Sequence, residues 1–82
     1  MQNAQVLAHT QRLAAQLRSA IEILGVIDRA VGIIMSRSGG TEDQALARLR
    51  SLSQNEHQNL GVIAGQIIEE AVRRARARRH SD

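Results

Sequence analysis

Eleven basic side chains serve this 82-residue chain, and every one of them is arginine. The guanidinium is a planar fork of donors that matches phosphate oxygens and base edges with paired hydrogen bonds, which a lysine ammonium does not. The same fork also makes surface ion pairs, so residue type alone does not separate the two uses. Four positions sharpen the question: Gly25, Arg29, Gly32 and Ser36 recur at intervals of 4, 3 and 4. On a helix that spacing lays three small residues and one cation along a single stripe. Gly32 stands inside the helical stretch DRAVGIIMSRS, where glycine costs about 1 kcal/mol relative to alanine. Two readings of it are open: a neighbouring helix packs against it, or the backbone or base of a ligand lies there.

Other chemistries lack their residues. There is no cysteine, and the histidines stand far apart at positions 9, 57 and 80, so neither a thiolate nor a paired-histidine metal site has its spacing. The adjacent acids Glu42–Asp43 and Glu69–Glu70 read as helix-end and ion-pair residues, and no serine has a neighbouring base. No enzyme, metal or cofactor is expected. The absence of Phe, Trp and Tyr also argues against a platform that stacks single-stranded bases on aromatic rings.

The charge is unevenly spread. Residues 1–70 hold six arginines against seven acidic residues, whereas residues 71–82 hold five arginines against Asp82 alone. The positive balance therefore sits in RRARARRH at the end, a segment suited to diffuse phosphate attraction. The N-terminus lacks the basic opening and apolar run of a signal peptide, and no apolar stretch approaches the ~20 residues of a membrane span. A cytoplasmic location is expected.

The elements that position these residues read as helices. Val6, Thr10, Leu13, Leu17, Ala20, Leu24, Ile27, Val31 and Ile34 alternate at 4 and 3, an apolar heptad seam with one polar member. It predicts a coiled-coil strand about 42 Å long, with Leu13, Leu17, Ala20, Leu24 and Ile27 as the dimer contacts. Val31 belongs to the same seam, which turns Gly32 away from the partner. SRSGGT ends this helix, with Gly39 suited to a left-handed close. Thr41 with Gln44 forms a capping box for a second helix over about residues 42–52. Ser53 or Asn55 caps a third, which buries Leu60, Ile63, Ala64, Ile67, Ile68 and Ala71 and pairs Glu69 and Glu70 with Arg73 and Arg74. The fold class is all-α: one long N-terminal coiled-coil helix, then two shorter helices folded onto its C-terminal half. A core this small, without rings, disulfides or metal, favours oligomerisation.

The stretch VIDRAVGIIMSRSGGTEDQALARLRSLSQ followed by NLGVIAGQII resembles the ANTAR domain, an RNA-binding antitermination module, over roughly residues 26–68. Ile27, Ala30, Gly32, Ile33, Met35 and Arg37 meet the family's first-helix pattern. Thr41, Ala45, Leu49, Arg50, Ser53 and Gln54 meet the second, and Leu60, Ala64 and Ile67 the third, without a gap. Three positions depart from it. The family's lysine before glycine is Val31, the asparagine at the start of helix three is His57, and the aromatic of helix two is Leu46.

The resemblance implies a three-helix unit behind a dimerising coiled coil, divided as residues 1–25, 26–72 and a basic tail 73–82. It implies binding of tandem small-loop RNA hairpins in nascent transcripts, which keeps a competing terminator from forming, and an upstream sensor domain. Arg29, Arg37 and Arg50 would then contact phosphates or base edges. Ala30, Gly32 and Ser36 would let the RNA approach, and Gln54 and His57 would offer hydrogen bonds to loop bases. The alternatives are a helix-turn-helix reader of DNA, loosely matched by the SQNE corner, and a dimerisation module that binds no nucleic acid.

Overall fold

The computed structural model describes residues 2–81, with side chains for residues 4–79; Met1, Asp82 and the His80 side chain, the last two belonging to the expected basic tail, lie outside the description. It contains α1 (Gln2–Ser38), α2 (Glu42–Glu56) and α3 (Leu60–Ser81), with no strand among the described residues. A 37-residue helix extends about 55 Å, and it sets the elongated 63 × 29 × 22 Å shape. No helix is long and apolar enough to cross a membrane.

The turn after α1 follows from its residues. Gly39 takes φ +71° and donates its N–H to the Met35 carbonyl at 2.8 Å, closing the helix in the left-handed conformation that glycine tolerates best. Thr41 then caps α2. Its hydroxyl accepts the Gln44 N–H at 3.1 Å, and the Gln44 side-chain oxygen accepts the Thr41 N–H at 3.0 Å, the reciprocal pair read from the sequence.

The α2–α3 corner differs from the expected one. Ser53 and Asn55 lie inside α2, which runs to Glu56, four residues past the expected end. No glycine or proline interrupts SLSQNE, and polar residues alone do not stop a helix. Ser53 closes α2 instead of opening α3. Its carbonyl accepts the N–H groups of His57 and Gln58, and its hydroxyl donates to the Gln58 carbonyl. His57 therefore ends α2, at φ 54° and ψ 41°, and does not begin α3. The first turn of α3 hangs from the Asn59 carbonyl, which accepts the Val62 and Ile63 N–H groups at 3.0 and 3.1 Å.

The most extensive contact joins α1 and α3, which run side by side in the same direction. At one end Gly61 approaches Ile23 so closely that an added Cβ would stand 3.2 Å from its Cγ2. At the other end Arg74 and Arg78 lie beside Ser36 and Arg37. The core is aliphatic: Ala30, Val31 and Ile34 from α1, Ala45 and Leu49 from α2, Ile63 and Ala64 from α3. Leu49 is the one large side chain with no exposure among the described residues.

The heptad seam is split by this packing. Val31 and Ile34 are buried inside the chain's own core and Ile27 packs against it, so the seam's last third faces α2 and α3 and not a second chain. Residues 4–24 are exposed, apart from half-buried Ala8, and leave Val6, Leu13, Leu17 and Leu24 without cover. The expected boundaries at residues 25 and 73 both fall inside continuous helices.

Candidate nucleic-acid interface

Beyond the core, the ends of α1 and α3 flank an open cleft of about 790 Å³. Gly32, Ser36 and Arg37 supply one wall; Arg74, Ala77 and Arg78 supply the other. A Cβ added to Gly32 would meet nothing within 4 Å. That disposes of the reading in which a neighbouring helix packs against it: the glycine opens onto the cleft. Ala30, two residues earlier in the motif and on the opposite side of the helix, is the reverse case. It has no exposed surface, so its small side chain serves the close packing of helices and cannot touch a ligand.

The far wall arises from a continuation of the core stripe of α3. Leu60, Ala64, Ile67 and Ala71 are spaced 4, 3 and 4, and the next two members are Arg74 and Arg78. The face that buries aliphatic surface along α1 thus changes to arginine where α1 ends. Sequence reasoning treated the terminal arginines as one diffuse group; extending the stripe past Ala71 separates Arg74 and Arg78 from the rest. Arg73 and Arg76 lie with Glu69 around a different, smaller depression.

A second cleft of about 290 Å³ adjoins the first, sharing Arg37 and Arg74 and adding Arg48 from α2 and Glu70 from α3. Four guanidinium groups therefore surround this end of the molecule with one carboxylate among them. Glu70 holds the Arg74 Nη2 at 2.5 Å, an exposed i,i+4 pair of the modest kind; the matching Glu69–Arg73 pair is not closed. Arg78 makes only a long 3.5 Å contact to the Arg74 carbonyl. Arg37 and Arg48 have no hydrogen-bond or ion-pair partner among the described residues. Uncommitted guanidinium groups are available to an incoming anion at no cost in broken pairs.

The remaining expected residues do not gather here. Arg50 lines another depression, with Asp28, Glu42 and Asp43 around it, an acidic setting for a phosphate contact. Gln54 and His57 are exposed on α2 and its cap, and Arg29 is exposed on α1, but none lines either arginine cleft. The left-handed backbone at His57 gives a reason for the position to prefer asparagine, which tolerates that conformation well. Arg48 escaped the sequence reading because nothing in its local pattern marks it; only the placement of α2 brings it beside Arg37.

A family model described as "ANTAR domain" matches residues 15–68, beginning in the middle of α1, eleven residues earlier than the sequence motifs alone indicated, and ending within α3. No curated protein and no solved structure matches the chain.

Proposed function

The chain belongs to the ANTAR domain family of regulatory, RNA-binding antitermination modules, which is not an enzyme family, and from that premise we propose that it binds paired RNA stem-loops in nascent transcripts as a homodimer. Binding would hold the transcript out of a competing terminator hairpin, so that transcription continues. Such action on nascent RNA is cytoplasmic, and an upstream sensor domain would supply the signal. The observation that carries the reading is Gly32: a helix-weakening glycine with open space above it, beside the uncommitted guanidinium of Arg37. Internal packing gives no reason for that glycine; close approach by a ligand does.

Residues 1–25 act as the dimerisation segment in this reading, through Leu13, Leu17, Ala20 and Leu24. Residues 26–72 form the three-helix unit, and residues 73–82 its basic extension. Gly32, Ser36 and Arg37 face the RNA in the cleft, with Arg29 on the same side of α1. Arg50, Gln54 and His57 contribute only where the RNA reaches around α2.

A titration compares leader RNA, taken from neighbouring genes and bearing two small-loop hairpins before a terminator, with duplex DNA of equal charge at one salt concentration. The proposal expects the RNA to bind at least tenfold more tightly. Equal binding, or tighter binding to the DNA, would favour a helix-turn-helix module and overturn it. No binding to either would leave a dimerisation module.

A further inference from the structure

We propose that the cleft between the ends of α1 and α3 grips the sugar–phosphate backbone of one RNA strand, with Arg37 on one wall and Arg74 and Arg78 on the other. The assignment rests on the RNA-binding reading of this chain and goes beyond the family match, which stops at residue 68, before the far wall begins. Three guanidinium groups converge on a space of about 790 Å³, far more than a single phosphate needs and enough for several linked ones. Four of the five residues between them are small, Gly32 and Ser36 on α1 and Ala71 and Ala77 on α3, and the fifth is the aliphatic Ile33. They leave the floor open and offer no ring on which a base could stack, so the groove suits a backbone rather than a splayed base.

The carboxylate beside the cleft, Glu70, is already bound to Arg74. An incoming phosphate must compete with it for that guanidinium, which makes Glu70 a brake on the site. The other face of the same helix has equal charge around a smaller depression of about 290 Å³, where Arg73 and Arg76 stand with Glu69 and Val72 and no arginine of α1 or α2 faces them. The basic extension is therefore two surfaces, one that holds RNA in a defined place and one that only attracts it.

Charge-matched double variants separate these roles. Arg74→Ala/Arg78→Ala and Arg73→Ala/Arg76→Ala each remove two exposed charges and replace them with a better helix former, so circular dichroism should show both folded. Against the twin-hairpin leader RNA, the first should lose at least tenfold in affinity and lower the salt slope by about 2. The second should lose no more than about threefold at the same salt. Glu70→Gln should tighten binding two- to fivefold in the wild-type background and leave the Arg74/Arg78 variant unchanged. Equal losses in the two double variants, or a Glu70→Gln gain that survives without Arg74 and Arg78, would overturn the cleft assignment while leaving RNA binding intact. A wild-type chain that binds no hairpin RNA would instead remove the functional reading beneath it.

Discussion

The two ends of α1 carry the same apolar period and bury it in different ways. From Ile27 to Ile34 the seam lies against α2 and α3, and Val31 and Ile34 are buried. From Val6 to Leu24 the same 4–3 spacing lies open, with Leu17 63% exposed. Periodicity records that a helix face will be covered; it does not record by what. That is decided by which other elements reach the face. α3 begins beside Glu22 and Ile23, so among the described residues the part of α1 before them is left exposed by α2 and α3. The proposed second chain covers the open half, and the core belongs to a single chain.

Substitutions in each half give effects of different kind. Leu17→Asp places a carboxylate in each strand of the proposed dimer seam, at a cost of about 3–5 kcal/mol of association energy. In a lone chain that position is solvent-exposed and the change is nearly neutral. Light scattering should show wild-type dimer and variant monomer at micromolar concentration; a wild-type monomer there would break the comparison at its first term. Leu49→Ala empties the one fully buried large side chain and should cost about 3 kcal/mol. Its loss should appear in thermal melts by the same amount at every protein concentration, whereas the Leu17→Asp loss should grow with concentration as the wild-type dimer fills. Matching concentration dependence for the two variants would deny the division into separate and shared cores.

The smallest change sharpens the other side of α1. Gly32→Ala adds a methyl to open space, so the helix should gain up to about 1 kcal/mol and the melt should rise. Hairpin RNA should nevertheless bind several-fold more weakly, because the methyl narrows the cleft. A lower melting temperature would mean that the glycine serves packing after all.

Local signals in the sequence were readable where one residue type has one good conformation. The Gly39 close and the Thr41–Gln44 capping box formed as read. The end of α2 was not readable, because Ser, Gln and Asn continue a helix as readily as they cap one when a left-handed residue further on can end it, as His57 does. The site was legible in part. Gly32 and Ser36 share a stripe that spacing alone reveals, Arg37 was marked by the family pattern, and the structure puts all three on one wall. Ala30 follows the same motif but points into the core, and Arg50 shares a depression with Glu42 and Asp43 of its own helix and with Asp28, which the α1–α2 contact brings there. Both depend on which side of α1 the later helices cover. Arg74 and Arg78 were visible as charge but not as a wall, since their partner surface lies about forty residues earlier in the chain.

The account joins a dimer at one end of α1 to an RNA cleft at the other, and the mass of the complex tests both together. Size-exclusion chromatography with light scattering, on the chain mixed with leader RNA carrying two small-loop hairpins, should give two chains on one RNA. One chain per RNA, or no complex at micromolar concentration and physiological salt, would contradict it.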